Sequence, residues 1–149
     1  MNGKRNGKGK EYYNNGKLKF NGEYLDGIFW NGKAYDYKAP EEYEIINGNG
    51  KIKEYDFVGK LIFEGNYIKG EKNGKVKENN DYGKLIFEGD YLNGEKNGKG
   101  KEYNDSGKLI LEGDYLNGKK NGKGKEYNYY GDAYYEGEYL NGERIIKNK

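Results

Sequence analysis

The sequence predicts an all-β protein in which successive antiparallel hairpins form a meander, and two observations carry that prediction. The first is an Asn-Gly-Lys triplet that recurs every 24 residues, at Asn49, Asn73, Asn97 and Asn121. The second is an alternation of apolar and polar residues within each unit, with the period of two that is typical of strands. The stretch 97–120 shows the order of a hairpin: a first run at 99–103, a turn at 104–107 and a second run at 108–116.

The repeats divide the chain into one array, which we expect to form a single domain over residues 1–149. The units cover about 6–30, then 49–72, 73–96, 97–120 and 121–144. Between them lies a shortened and irregular copy at 31–48, and residues 145–149 form a C-terminal cap or tail. A single hairpin of this size buries too little apolar surface to be stable alone, so stability must come from stacking of the repeats.

Composition excludes several classes of protein. Hydrophobic residues make up 33% of the chain, too few for a conventional two-layer core, while 18 Tyr and 5 Phe at regular spacing argue against disorder. Without Cys or His, and with Ser106 as the only serine, the chain lacks the usual nucleophile and base pairs and the usual transition-metal ligands. We therefore expect no catalytic residue, no metal site and no cofactor; a hydrolase using two carboxylates is the remaining enzymatic hypothesis.

Charge and hydropathy bear on partners and location. The 27 basic and 25 acidic residues alternate along the chain, which gives a net charge of only +2 and no field of one sign. Arg5 and Arg144 are the only arginines, so we expect no nucleic-acid binding. The N-terminal stretch has no apolar run typical of a signal peptide, and no stretch is long enough for a membrane helix. These features predict a cytoplasmic protein.

The alternation also assigns residues of a hairpin to faces. The second run of the unit at 97–120 places four residues on one face, Leu109, Leu111, Gly113 and Tyr115. If the turn keeps Tyr103 opposite Lys108, the first run adds Gly98, Gly100 and Glu102 to that face. The same register places Lys99 opposite Glu112 on the other face, a favourable pair of charges.

Glycines in the first run suggest how neighbouring repeats pack. Equivalent strands of adjacent repeats lie about 9.6 Å apart, too far for direct ring contact between successive tyrosines such as Tyr91 and Tyr115. Because Gly100 has no side chain, the rings can lie across its backbone. In the motif NGKGKEY, at 97–103, we expect Asn-Gly to form a turn and Gly-Lys-Gly to form a thin strand beneath these rings.

The recurring sequence FEGDYLNGEKNGKGKEY resembles the MORN repeat. The likeness rests on an aromatic-x-Gly-x-aromatic segment, an Asn-Gly pair and a Gly-x-Gly segment, represented here by Phe87, Gly89, Tyr91, Asn93, Gly94, Gly98 and Gly100. It extends from about residue 6 to 144 and includes the repeat-variant KEY segment. Two copies depart from the pattern, since Ile52 and Val76 replace the second glycine of Gly-x-Gly, which puts equal packing there in doubt.

The resemblance implies an elongated, single-layer antiparallel sheet of hairpins, curved into a shallow trough. It also implies a non-enzymatic scaffold that contacts other proteins and often associates with itself. Two alternatives treat the chain as a ligand-binding module. One binds anionic phospholipid headgroups at a membrane surface through turn lysines, and the other binds glycans through tyrosines.

Rows of aromatic and acidic residues are the candidate partner groove. An extended peptide or an amphipathic helix would contact them, whereas the structural alternative is packing within the sheet. The glutamates would pair with basic groups of a partner, or accept hydrogen bonds from a neighbouring turn backbone. The candidate set is Tyr24, Phe63, Tyr67, Phe87, Tyr91, Leu111, Tyr115, Tyr135, Tyr139, Glu54, Glu78, Glu102 and Glu126, with Glu11 equivalent to the glutamates.

Two further segments are candidate interfaces. The irregular section at 28–48 contains the only tryptophan and the only proline, Trp30 and Pro40, and is either a decayed repeat or a contact site. The C-terminal sequence RIIKNK places Ile145 and Ile146 beside lysines, so this sheet edge is either guarded by charge or free to pair. We expect partial protection of that edge and pairing into a homodimer as one mode of self-association.

Overall fold

The computed structural model describes residues 3–38 and 40–146. The described residues form thirteen strands and no helix, which confirms the all-β class. The strands are β1 (Gly7–Tyr12), β2 (Leu18–Leu25), β3 (Ile28–Tyr35), β4 (Glu42–Ile45), β5 (Gly50–Tyr55), β6 (Leu61–Ile68), β7 (Glu71–Asn79), β8 (Leu85–Leu92), β9 (Glu95–Tyr103), β10 (Leu109–Leu116), β11 (Lys119–Tyr127), β12 (Ala133–Leu140) and β13 (Glu143–Arg144).

Every strand pairs antiparallel with its sequence neighbour, as the hairpin repeat predicts, with one interruption. Strands β1 to β4 form one sheet and β5 to β13 form a second, and both sheets remain open. Between β4 and β5 the ladder is reduced to one bridge, which joins Ile46 and Asn49 around a tight turn. The interruption falls at the end of the irregular copy, so the shortened repeat marks the joint between two sheets.

One margin of the sheets consists of two-residue turns. In the turn between β8 and β9, Asn93 and Gly94 both have positive φ, 50° and 84°, as the type I′ hairpin turn requires. The same conformation recurs between the strands of neighbouring units, at 26–27, 47–48, 69–70, 117–118 and 141–142. In several units the asparagine of the preceding Asn-Gly-Lys triplet secures the turn; Asn121 Oδ1, for example, accepts a hydrogen bond from the Asn141 amide at 3.1 Å.

The opposite margin consists of four-residue turns with an asparagine or aspartate at the first position in most copies. Between β7 and β8, Asn80 Oδ1 accepts hydrogen bonds from the amides of Tyr82 and Lys84, and the Gly83 amide donates to the Asn80 carbonyl. This geometry is that of a turn closed by its own Asx side chain and a following left-handed glycine. Equivalent turns lie at 13–16, 56–59, 104–107 and 128–131.

The motif NGKGKEY differs from expectation in one respect. Asn97 and Gly98 are not a turn; they lie inside β9, and the turn is formed by the Asn-Gly pair four residues earlier. Gly98 has a φ of 102°, and the β8–β9 register shifts between Gly89 and Tyr91. The second Asn-Gly pair therefore forms an irregularity within the strand, where a positive φ is also needed.

The predicted faces are confirmed for Leu111 and Tyr115, but Ile110, predicted on the other face, packs against the core. The predicted pairing across the hairpin is wrong by two residues. Lys99 lies opposite Asp114, with Nζ and Oδ1 3.6 Å apart, and Lys101 lies opposite Glu112. A bulge near Leu109 shifts the register. Beyond the bulge the total shift is two residues, so the residues from Leu111 to Tyr115 keep their faces while their cross-strand partners change. Before it, the one-residue bulge reverses the faces of Leu109 and Ile110.

The core lies on one face of each sheet. In the nine-stranded sheet the buried residues are Phe63, Val76, Phe87, Leu111, Tyr115 and Tyr139. In the four-stranded sheet they are Phe20, Tyr24, Ala34 and Ile45. These positions are the aromatic and aliphatic members of the face that the alternation assigns to packing. The two cores are in contact at one point, because Ile52 of β5 packs against the cluster of the four-stranded sheet.

A polar cluster ties the two sheets together. Asp36, which follows β3, is 5% exposed, and its carboxylate accepts a hydrogen bond from the Tyr55 hydroxyl at 2.9 Å and pairs with Lys53 Nζ at 3.2 Å. Lys53 and Tyr55 both belong to β5. The rings of Tyr13, Tyr37 and Tyr55 also meet at centroid distances of 5.0, 5.5 and 6.1 Å. The irregular copy thus supplies contacts that replace the missing ladder between β4 and β5.

Candidate functional site

The aromatic face is organised by tyrosine–glutamate pairs that recur once per hairpin. In each pair the tyrosine on the second strand donates its hydroxyl hydrogen to a glutamate on the first strand, thirteen residues earlier. Tyr67 donates to Glu54 at 2.6 Å, and the other pairs are Tyr24 with Glu11, Tyr91 with Glu78, Tyr115 with Glu102 and Tyr139 with Glu126. The glutamates therefore accept hydrogen bonds from tyrosine hydroxyl groups, whereas the sequence had suggested a neighbouring turn backbone as the alternative donor.

Lysine side chains cover the aromatic row from outside. Lys72 Nζ lies 4.4 Å from the centre of the Phe63 ring, and Lys96 Nζ lies 4.1 Å from the centre of the Phe87 ring. A lysine in this position covers apolar surface with its methylene stem and places its charge over the ring. This cover explains how residues of a single sheet become buried without a second layer.

The ionisation of these pairs follows from their surroundings. Burial and the hydrogen bond to the Glu54 carboxylate raise the pKa of Tyr67 well above its usual range. Burial and the Glu126 carboxylate likewise raise the pKa of Tyr139 to about 12, an effect that Arg144 opposes. The Arg144 guanidinium, with help from Tyr139, lowers the pKa of Glu126 to about 2. At neutral pH the tyrosines are neutral donors and Glu126 is a charged acceptor, as the hydrogen bonds require.

The structure brings the predicted groove residues onto one face, but that face is closed. Six of them are at most 5% exposed, namely Tyr24, Phe63, Phe87, Leu111, Tyr115 and Tyr139. Tyr67, Tyr91 and Tyr135 are half-buried against the same row, and the four glutamates are engaged by tyrosines. A partner-binding role for this face stays a prediction; packing is the role that the contacts support.

The two copies without the second glycine pack differently, as the sequence suggested, and Ile52 contacts the core of the four-stranded sheet. At Gly100 the rings of Phe87 and Tyr115 approach over the bare backbone, with centroids 5.8 Å apart. At the equivalent position Val76 is 3% exposed and occupies the space between neighbouring hairpins. The side chain of this valine thus fills the space between hairpins that two aromatic rings fill in the next repeat.

An open groove lies on the opposite face of the nine-stranded sheet. Its volume is about 1090 Å³, and it extends from β5 to β12. Its centre is formed largely by glycine backbone, and its sides carry seven lysines and seven carboxylates. We call this surface the charged trough; it is lined by Lys51, Glu64, Gly65, Asn66, Lys75, Val76, Lys77, Glu88, Gly89, Asp90, Lys99, Gly100, Lys101, Glu112, Gly113, Asp114, Lys123, Gly124, Lys125, Glu136, Gly137 and Glu138.

Charges in the trough alternate from strand to strand. Along one side, cross-strand pairing gives Glu64, Lys77, Glu88, Lys101, Glu112, Lys125 and Glu136 in succession. Each of these lysines therefore lies opposite an acidic residue on both neighbouring strands. The backbones of neighbouring strands are about 4.8 Å apart. Sequence reasoning missed this surface, although its signal was present: most central glycines are flanked by two lysines in KGK or by two acids in EGD or EGE, and Gly65 is flanked by Glu64 and Asn66.

The remaining candidate interface residues lie apart from the trough. Trp30, in β3, is half-buried, and its backbone carbonyl accepts a hydrogen bond from the Gly48 amide at 2.8 Å. Pro40 is exposed in the segment between β3 and β4. Ile145 is 38% exposed and donates its amide hydrogen to the Glu138 carbonyl, whereas Ile146 is 77% exposed. These positions leave their interface and edge-pairing roles as predictions, and lysines 147 and 149 lie outside the described residues.

Residues 3–38 and 40–146 contain no cluster of three or more acidic, His or Cys side chains suited to a metal ion. The same part of the chain has no helix long and apolar enough to cross a membrane.

Comparison with protein families identifies the repeat. The family model described as the MORN repeat matches residues 1–17, 87–108, 112–128 and 135–144. The chain is a MORN-repeat protein. The matched segments include the turns and strands of β8 to β12, where the hairpins are most regular, and the unmatched centre contains the irregular copy and the joint. No curated protein matches the chain. Family membership supports a repeat scaffold of the kind that commonly contacts membranes or other proteins.

Proposed function

We propose that this MORN-repeat protein is a non-enzymatic scaffold that binds a polypeptide segment of a partner protein along the charged trough. The observation that carries the proposal is the trough itself, an open surface that crosses eight strands beside a closed aromatic core. Eight strands at about 4.8 Å spacing give a site roughly 34 Å long. That length suits an extended polymer better than a small molecule, which normally occupies an enclosed pocket.

The charge balance of the trough favours a polypeptide over a polyanion. Its seven lysines are matched by seven carboxylates, so a nucleic acid or an anionic lipid surface would meet repulsion as often as attraction. A polypeptide that carries both charges can instead place each side chain against its opposite. The glycine centre lets the bound backbone approach the sheet closely. For these reasons we place the anionic-lipid and glycan alternatives behind protein binding.

Cross-linking on the intact protein tests the proposal. The protein would be incubated in native extract with a lysine-reactive cross-linker, and cross-linked partner peptides would be mapped by mass spectrometry. We expect them to concentrate on trough lysines such as Lys77, Lys101 and Lys125. A variant with Gln at these three positions should recover about tenfold less of the partner in a pull-down without cross-linker, while keeping its circular dichroism spectrum.

A matched control places the same change outside the trough, in Lys8→Gln, Lys38→Gln and Lys119→Gln, and should keep the partner. Cross-links that fall on the turns or sheet edges, together with full retention by the trough variant, would overturn the proposal. Salt-sensitive flotation of the protein with vesicles containing phosphatidylserine, in place of peptide cross-links, would favour the lipid alternative.

A further inference from the structure

The margin of four-residue turns carries aromatic residues that the fold does not require. Four such turns lie side by side on the nine-stranded sheet, at 56–59, 80–83, 104–107 and 128–131; we call them the turn margin. The two central positions of such a turn accept most residues and face water. One turn has polar residues there, Asp105 and Ser106. The other three have large apolar rings, Phe57, Tyr82, Tyr129 and Tyr130, which are 80%, 77%, 63% and 84% exposed.

Exposed rings at these positions add nothing to the core, and they increase contact between apolar surface and water. Asx side chains and a left-handed glycine close each turn whatever stands at its centre. The first turn of the chain closes around polar central residues, Asn14 and Asn15, through the hydrogen bond from the Gly16 amide to the Tyr13 carbonyl. A repeated group of aromatic side chains on such positions is therefore typical of a binding surface.

Lysines of the preceding turns hold two of the rings in defined positions. Lys60 Nζ lies 5.9 Å from the centre of the Tyr82 ring, and Lys108 Nζ lies 4.0 Å from the centre of the Tyr129 ring. At the last turn, Tyr129 and Tyr130 meet edge to face at 5.7 Å. Together with Lys108 and Leu109 they border a shallow depression of about 290 Å³. This depression has room for a small apolar ring between aromatic walls.

The spacing of the turns matches one particular backbone conformation. Successive turns of the margin are separated by two strands, or about 9.6 Å. A polyproline II helix has three residues per turn and rises about 3.1 Å per residue, so it presents the same face every 9.3 Å. A segment in this conformation that lies along the margin would meet one turn with every third residue. An extended β-strand, at about 6.8 Å for every second residue, would not keep this register.

We propose that the turn margin binds a proline-rich polyproline II segment of a partner protein. Prolines at positions i, i+3 and i+9 of that segment lie against Phe57, against Tyr82, and in the depression beside Tyr129 and Tyr130. Aromatic surfaces are the usual partners of prolines in this conformation, because the segment is already ordered and loses little entropy on binding.

The charge at the third turn indicates which residue type the bound segment should carry at its remaining contact position. The aromatic series is interrupted at 104–107, where Asp105 is exposed and carries no ion pair among the described residues. A residue at i+6 of the bound segment would face this carboxylate. A lysine or arginine there is complementary in charge, so the segment has the form Pro-x-x-Pro-x-x-basic-x-x-Pro. This surface is separate from the charged trough, and either site can be correct without the other.

Fluorescence anisotropy with a labelled peptide, PPLPPLKPLP, tests the proposal on the full chain. We expect saturable binding that weakens about tenfold or more in the variant with Phe57→Asn and Tyr82→Asn. Since both positions are exposed turn centres, asparagine should leave the fold intact, as circular dichroism will show. The matched control is Leu116→Asn, which changes a residue that is 47% exposed on the other margin and should leave affinity unchanged.

A second experiment tests the expected charge pairing between Asp105 and position i+6 of the peptide. A peptide with glutamate in place of its lysine should bind more weakly to the natural chain, and Asp105→Lys should restore its binding. A peptide of the same composition with its prolines shifted by one position should lose affinity. Absence of binding at millimolar peptide, or binding that the turn variants do not change, would overturn the proposal. So would flotation with phosphatidylcholine vesicles that depends on Phe57 and Tyr82 without peptide binding, since it would assign the rings to a membrane surface.

Discussion

Phe87 and Tyr115 belong to successive repeats and meet edge to face above the backbone of Gly100, with ring centroids 5.8 Å apart. A Cβ atom at Gly100 would lie 2.8 Å from Phe87 and 3.0 Å from Tyr115. The absence of a side chain at one position thus permits the contact that joins two hairpins into one core.

Replacement of this glycine should destabilise the array. We expect Gly100→Ala to lower the free energy of unfolding by about 2 kcal/mol, because the added methyl group must displace two packed rings. Urea denaturation followed by tyrosine fluorescence measures the change. Ser106→Ala, in an exposed turn, is the control and should stay within about 0.5 kcal/mol of the natural chain. Equal stability of the two variants would show that the rings do not need the bare backbone.

The tyrosine–glutamate pairs should contribute to stability through the hydroxyl group. Tyr67→Phe keeps the ring but leaves the Glu54 carboxylate without its donor, which should cost about 1 to 3 kcal/mol. Thermal unfolding at neutral pH measures it, with Tyr130→Phe as an exposed control. Since the pKa of Tyr67 is raised in the folded state, its contribution is present below pH 10 and is lost as the pH rises further. A melting temperature that is the same in both variants would contradict this role.

The C-terminal end of the sheet should depend on pH in the acid range. Arg144 donates to Glu126 at 2.7 Å and lowers its pKa from 4.5 to about 2. The ionised carboxylate therefore stabilises the fold above about pH 4.5, and this contribution is lost as the pH falls toward 2. In Arg144→Gln we expect lower stability at pH 7 and a weaker decline between pH 4.5 and 2. Thermal melts across this range will measure both, and an unchanged decline would assign it to other carboxylates.

Loss of the buried carboxylate at the joint should loosen the four-stranded sheet from the rest. Asp36→Ala leaves Lys53 without its buried counter-charge and should cost about 3 kcal/mol. Hydrogen exchange should accelerate first in β1 to β4, since their contact with β5 depends on this cluster. The double variant with Lys53→Met should recover part of the loss. Uniform acceleration across all thirteen strands would show instead that the two sheets unfold as one unit.

Much of the fold was predictable because the same local sequence pattern recurs in each repeat. Alternation placed Leu111, Gly113 and Tyr115 on one face, and the structure keeps them there. Pairing was less predictable, since the turn and the bulge near Leu109 each shift the register by one residue, and Lys99 therefore lies opposite Asp114 and not Glu112. The Asn-Gly pair at 97–98 was also ambiguous, because a turn and an irregular strand position both use a positive φ.

The candidate site was harder to predict than the fold. Aromatic rows such as Phe63 and Phe87 are compatible with a binding groove or with a core, and local sequence does not distinguish the two. Lysine cover and tyrosine–glutamate pairing favour a packing role, and both depend on contacts between different strands. The charged trough and the exposed rings of the turn margin became visible only when the strands were placed side by side.

By itself, the sequence determined the repeat length, the class of fold and the faces of most residues in each hairpin, because these follow from composition and from the period of two along a strand. Tertiary structure alone decided which face is closed, where the ladder is interrupted, and which charges and rings become neighbours. Those properties depend on register and on the distance between strands, and a bulge of one residue changes both without leaving a clear mark in the sequence.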